Sequence, residues 1–176
     1  MNDGLIARRY AKALFKVATE RNCAPEQYRL MHNLLEAYTL ISSAMSNPFA
    51  GDDDKRRLLL SASQAGDDAT FGDFISLLAR NGRLADTDDI ARAFCDIYRH
   101  SRGICRVEVV TAAPLAAAEE QRIKNIIAAH IPGKTMEYTA RVNAEIIGGF
   151  IVTIDNERLD ASISNELKQL RLNLIK

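Results

Sequence analysis

The residues of this chain that could do chemistry are three histidines, a run of aspartates, three cysteines and a pair of glycines. His32, His100 and His130 could serve as general bases or metal ligands. None of them has a cysteine, an aspartate or a second histidine at the spacing that would bring two ligands together on one element. Asp52-Asp53-Asp54 offers three adjacent carboxylates, the hard oxygen donors a divalent cation prefers. The alternating ligands and central glycine of a calcium loop are missing, however. The run reads better as the charged opening of a helix whose buried turn is Leu58-Leu59-Leu60. Gly148-Gly149 leads into Phe150-Ile151-Val152, a strand pattern and not a helix start, so it is no phosphate loop. Close backbone approach or a bulge explains it. Cys23, Cys95 and Cys105 are odd in number and lack CxxC spacing, which predicts free thiols and neither a disulfide framework nor a zinc site. No catalytic constellation, metal site or cofactor is expected. The competing reading is an enzyme or ligand-binding regulator with a site assembled from Asp52 to Asp54 and His32.

Composition narrows the partners. Apolar residues make up 47% and charged residues 26% of the 176 residues, enough to build a core and too apolar for a disordered chain. Basic and acidic residues balance 14 to 14 through Gly103 and 9 to 9 after it. Neither half has the basic excess that binding to nucleic acid or anionic lipid would require. The longest apolar run, Ile146 to Ile154, is about half of the roughly 20 residues needed to span a bilayer. The Met1-Asn2-Asp3-Gly4 start has no basic n-region before an apolar stretch. A cytosolic chain with no membrane insertion of its own is expected.

The elements that position these residues follow from periodicity. Leu5 to Ala18 predicts a helix with two apolar stripes, Ile6, Tyr10, Ala13, Leu14 and Val17 on one side and Ala7, Ala11, Phe15 and Ala18 on the other. One stripe suits the core and the other a partner; the spacing leaves open which is which. Pro25 opens a second helix from about Glu26 to Met45, ended by Asn47-Pro48. A third follows Asp52 to Asp54, and a fourth follows Gly66-Asp67-Asp68 with Phe71, Phe74, Ile75, Leu77 and Leu78, closed by Asn81-Gly82. Asp86 or Thr87 opens a fifth with Ile90, Ala91, Ala93, Phe94, Ile97 and Tyr98 on its apolar face, and Gly103 ends it.

The period then changes from 3.6 to 2. Ile104 to Thr111 alternates as a half-buried strand, a helix runs from about Ala116 to His130, and Met136 to Val142 forms a second strand. A third is predicted from Ile147 to Ile154, with Asp155-Asn156-Glu157 as a hairpin tip leading to Arg158-Leu159-Asp160. Ser162 or Ser164 caps a last helix in which Ile163, Leu167, Leu170 and Leu174 form an apolar seam. An α+β protein of two domains is expected, 1–103 all-helical and 104–176 a small sheet with two helices.

Three blocks, in order, resemble one family. Arg9-Tyr10-Ala11-Lys12-Ala13-Leu14-Phe15, Leu78-Ala79-Arg80-Asn81-Gly82-Arg83-Leu84, and Ile146-Ile147-Gly148-Gly149-Phe150-Ile151-Val152 with Leu159-Asp160-Ala161-Ser162-Ile163 and Leu167-Lys168-Gln169-Leu170 are similar to the delta subunit of bacterial F-type ATP synthase. That family includes the mitochondrial oligomycin-sensitivity-conferring protein. The chain departs from the pattern at Ala144, Ala116 and Ser164, where the family usually has proline, a Ser or Thr cap and a basic residue. The first two affect local turn and cap quality by about 0.5 to 1 kcal/mol each.

The resemblance implies a non-catalytic stator subunit, a monomer within a hetero-oligomeric complex, held peripherally at the cytoplasmic face of the bacterial inner membrane. It implies a six-helix amino-terminal bundle whose first and fifth helices form a groove for the amino-terminal amphipathic helix of the alpha subunit. Ile6, Tyr10, Ala13, Leu14 and Val17 would make one wall, and Ile90, Phe94 and Ile97 the other. The carboxy-terminal domain would meet the b subunits, through Ile163, Leu167, Leu170 and Leu174. No nucleic acid and no cofactor are implied.

Overall fold

A computed structural model describes residues 3–47 and 49–174 of the chain; the side chains of Asp3, Asn173 and Leu174, and Pro48 with the helix stop expected there, lie outside the description. The fold is α+β, with seven α-helices and a four-stranded sheet among the described residues. The chain divides into two compact units, Met1–Ser101 and Arg102–Lys176.

The first unit holds α1 (Asp3–Glu20), α2 (Ala24–Met45), α3 (Asp52–Ser63), α4 (Ala69–Arg80) and α5 (Thr87–Arg102), with a 3-10 helix at Leu84–Asp86. Five α-helices and one 3-10 turn are thus described where the resemblance implies six helices. The core is built from Leu30, Met31 and Leu34 of α2, Leu59 of α3, Phe71, Ile75 and Leu78 of α4, and Ile90 and Phe94 of α5, all without exposed surface. From α1 it takes Ala7, Ala11, Leu14 and Ala18. These lie at i, i+4, i+7 and i+11, one continuous seam of a helix.

Helix ends follow local chemistry. Asp52, Asp53 and Asp54 occupy the first turn of α3, complementing its amino-terminal partial charge. Asp68 caps α4, its carboxylate accepting from the Phe71 N–H at 2.7 Å and from the buried Gln27 Nε2 at 3.0 Å. At the other end of α4 the Arg83 N–H donates to Leu78 O and the Gly82 N–H to Ala79 O, with Gly82 at φ 63°. That is a Schellman closure, and it holds the C-cap residue Asn81 in a defined position.

The second unit has the order β1 (Ile104–Thr111), α6 (Ala117–His130), β2 (Thr135–Val142), a 3-10 helix at Ala144–Ile146, β3 (Gly149–Ile154), β4 (Glu157–Ser162) and α7 (Ile163–Leu174). The sheet runs β2-β1-β3-β4, parallel between β1 and β2 and antiparallel elsewhere. Cys105, Val107 and Val109 of β1 pack with Val152 of β3 and with Ile127 and Ile131 from the α6 side. At the start of α6 the Ala116 position has no side-chain acceptor, and only the reciprocal half of a capping box remains, Glu119 Oε2 accepting from the Ala116 N–H at 3.2 Å.

The third strand begins two residues later than its apolar pattern predicts. Ile146 ends the 3-10 helix, and Ile147, at φ 68°, forms the corner of a three-residue turn in which the Gly148 N–H donates to Ile146 O at 2.8 Å. Gly149 is then required for contact, and Gly148 lies against the movable tip of Ile163. A Cβ on Gly149, at φ +75°, would stand 2.2 Å from the backbone oxygen of Ala161, and one on Gly148 would stand 2.7 Å from Ile163 Cδ1. Strand β4 therefore lies against β3 where no side chain fits. Past β4, Ser162 Oγ accepts from the Asn165 N–H at 3.2 Å and donates to Asp160 Oδ1 at 2.6 Å, capping α7. The hydrogen bond from Ser162 leads the effects that hold the Asp160 carboxyl below its ordinary range, with Arg158 adding to it.

Two outcomes follow. Gly149→Ala should cost at least about 3 kcal/mol in equilibrium urea unfolding, from combined clash and left-handed strain, whereas Gly72→Ala, in open space within α4, should gain about 0.5 to 1 kcal/mol. Because the Asp160 pKa is lowered in the folded state, its contribution is complete above the unfolded carboxylate range and is lost as pH falls through the folded value. Acid titration of the parent followed by circular dichroism should show that loss, and Asp160→Asn should remove it.

Candidate helix-docking site

Among the described residues no group of three or more His, Cys, Asp or Glu could hold a metal ion. His32 Nδ1 lies 3.8 Å from Glu36 and Asp54 lies 3.9 Å from Arg57, each pair on its own helix. The structure therefore does not assemble Asp52 to Asp54 with His32 into a site. Cys95 and Cys105 are buried and Cys23 half-buried, all as free thiols. Burial pushes the Cys105 thiol up, away from the thiolate form that attacks or ligates. A cavity of about 290 Å³ beside Pro114, Leu115, Ile123 and Phe150 is mostly apolar and gathers no set of titratable groups. Strong surface features are apolar instead.

On α1 the observed division of stripes differs from the predicted one at a single decisive residue. Leu14 belongs to the buried seam, because it lies three residues after Ala11 and four before Ala18. Ile6 and Tyr10 are half-buried, Ala13 is exposed and Val17 is 38% exposed. These four form an open apolar strip along the flank of the seam. Phe15, on the opposite flank, is half-buried with its ring edge-on to Phe94 at 6.2 Å between centroids.

The neighbours of that open strip are on α4. Asn81 Nδ2, at the carboxyl end of α4, donates to Tyr10 Oη at 3.0 Å, and Arg21 Nη1, just past α1, donates to Thr70 Oγ1 in the first turn of α4 at 3.1 Å. Helix α4 thus runs antiparallel beside α1, on the Tyr10 flank. Thr70, Leu77 and Asn81 fall on one side of α4 by helical spacing, and Leu77 is 45% exposed. Leu77 is thus an exposed apolar residue on the side of α4 that carries both of these contacts with α1.

Of the residues expected to form the second wall on α5, Ile90 and Phe94 have 0% exposure and only Ile97 is half-buried. Ile90, Phe94 and Leu14 therefore belong to the core and offer no surface to a guest. Leu77, grouped by the sequence with the apolar residues of α4 because it sits in the run from Phe71 to Leu78, is exposed in the structure. Its signal was its phase: Phe71, Phe74, Ile75 and Leu78 keep the 3 and 4 spacing of one stripe, and Leu77 falls outside it.

In the second unit Ile163, Leu167 and Leu170 are exposed, at 43%, 52% and 58%, along one side of α7. The side chain of Leu174, the fourth member of the expected seam, lies outside the described residues. Nearby in sequence, Ile147 and Leu159 are exposed as well. These exposed apolar residues are candidates for an interaction surface. No described helix is long and apolar enough to cross a membrane.

Comparisons with known proteins agree along the whole length. The ATP synthase delta (OSCP) subunit family matches residues 6–174. The chain is similar to ATP synthase subunit delta of Bacteroides thetaiotaomicron, 31% identical over 180 aligned residues, covering 99% of this chain and 96% of that one. The corresponding protein of Parabacteroides distasonis is 30% identical, with 99% and 98% covered. The fold is similar to that of a chain in the cryo-EM structure of the Toxoplasma gondii mitochondrial ATP synthase hexamer, at a TM-score of 0.74 and 21% identity over 97% of each chain. With a family match over residues 6–174 and full-length relatives at about 30% identity, the chain belongs to the ATP synthase delta (OSCP) subunit family, the non-catalytic peripheral-stalk subunits of F-type ATP synthase.

Proposed function

We propose that the first unit binds the amino-terminal amphipathic helix of an ATP synthase alpha subunit in a groove between α1 and α4. The observation carrying this reading is the open strip of Ile6, Tyr10, Ala13 and Val17 beside the exposed Leu77. An amphipathic helix presents apolar anchors at i, i+3, i+4 and i+7, the pattern such a strip accepts. Ala13, small and central, lets the guest backbone approach closely. Ile97 of α5 remains at the margin of this reading, and Ile90, Phe94 and Leu14 support the groove from within the core.

The second unit, in the same proposal, engages the b subunits through the exposed Ile163, Leu167 and Leu170 of α7, with Leu174 extending the seam. The two units would then tie the catalytic headpiece to the stalk rising from the membrane sector, at the cytoplasmic face of a bacterial inner membrane. Resisting rotor torque requires slow dissociation, not proton transfer. A well-packed interface of about 800 Å² per partner suffices for that. The balanced charge of both halves fits a tether whose affinity comes from apolar burial.

Calorimetry with a peptide of the alpha-subunit amino terminus tests the first half. Ala13→Leu and Leu77→Asp should each weaken binding by at least about ten-fold with an unchanged unfolding midpoint, since both sites are exposed; unchanged affinity in both variants would move the site elsewhere. For the second half, Leu167→Asp with Leu170→Asp should abolish capture of the b subunits and leave binding of the alpha peptide intact. Retained capture would refute the role given to α7.

A further inference from the structure

The groove is apolar except at one point, where the Tyr10 hydroxyl meets the Asn81 amide. Asn81 Nδ2 donates to Tyr10 Oη at 3.0 Å, so the phenol oxygen is the acceptor in that bond and its own proton points elsewhere. Tyr10 is half-buried and Asn81 exposed, and the bond between them lies at the surface. The backbone of Asn81, the C-cap of α4, is held by the Schellman closure around Gly82, and its side chain reaches from there to the Tyr10 hydroxyl. The residues just before each member of the pair, Arg9 and Arg80, are exposed and basic.

Resting on the helix-docking reading above, we infer that Tyr10 is a polar specificity anchor, its hydroxyl oriented by Asn81 to donate a hydrogen bond to a carboxylate side chain of the guest helix. Backbone carbonyls inside a helix are already engaged by its own N–H groups and recur at every residue, so the acceptor that distinguishes one register from another is a side chain. Of the acceptor side chains, a carboxylate makes the stronger bond, and the exposed Arg9 and Arg80 add positive charge to the two helices that carry the pair. Apolar contacts along the strip give affinity but tolerate sliding of a guest by one turn. A single oriented donor fixes register, because a shifted guest leaves it without its acceptor. Asn81 is a positioning residue here: it acts through Tyr10 and sets where the proton points.

Titration calorimetry of the full chain with a peptide of the alpha-subunit amino terminus decides the matter, using the parent peptide and versions with each acidic residue replaced by alanine. Tyr10→Phe keeps the ring and should weaken the parent peptide on the order of 10- to 100-fold, with no change in thermal unfolding. One alanine peptide should lose the same factor against the parent protein and lose nothing further against Y10F. Asn81→Ala should weaken binding by less than Y10F does, and should make no difference in the Y10F background, which a purely structural defect in α4 would not reproduce. Binding of Y10F within about two-fold of the parent, or equal losses for every alanine peptide in both proteins, would overturn the inference while leaving the groove in place. Failure of the parent protein to bind any of the peptides would overturn the docking reading itself.

Discussion

The packing of α1 into its bundle depends on a seam of small residues. Ala7, Ala11 and Ala18, with Leu14 between them, are buried to between 0% and 4% exposure. Alanine adds almost nothing beyond the backbone, so α1 sits low between its neighbours and its flanking residues are drawn against them. Phe15 then meets Phe94 on one flank, and Tyr10 reaches Asn81 on the other. Ala13 and Val17 stay exposed and Ile6 half-buried along that same side of α1. A larger side chain in the seam would lift the helix and dissolve this arrangement, so core packing and docking surface are two consequences of one pattern.

In the second unit a backbone contact has the same organising role. Gly149 lets β4 approach β3 where a Cβ would stand 2.2 Å from Ala161 O, and the chain leaves β4 directly into the cap formed by Asp160 and Ser162. Helix α7 is thereby set at the end of the sheet with its leucines facing outward. Unburied apolar surface forgoes about 25 cal/mol per Å² that only a partner can recover. Each unit therefore leaves apolar helical surface exposed among its described residues.

Much of this was legible along the chain. The switch from a 3.6 to a 2 period after Gly103 located the change from helices to sheet, and Asp68, Asn81-Gly82 and Ser162 marked helix ends that the structure has. Gly148-Gly149 read correctly as close approach because no helix start followed it. The start of β3 was misjudged because Ile147 is as apolar as its neighbours, and periodicity cannot see a backbone turning to φ 68°. Leu14 was assigned to the wrong stripe for a related reason. Two apolar stripes on one helix overlap in angle, and a residue between them belongs to whichever neighbour is there to cover it.

The sequence by itself determined which residues share a face, since 3.6 residues per turn is a property of the backbone alone, and which turns demand glycine. It also determined the family, through blocks whose order and spacing survive along the whole chain. Only the tertiary structure decided that α4 meets the Tyr10 flank of α1, that Ile90 and Phe94 are core, and that Leu77 is surface. A helix's periodicity orients its side chains about its own axis, whereas the helix that lies against each face is settled by contacts between residues distant in sequence. The 71-residue separation of Tyr10 and Asn81 is such a contact, and no local pattern encodes it.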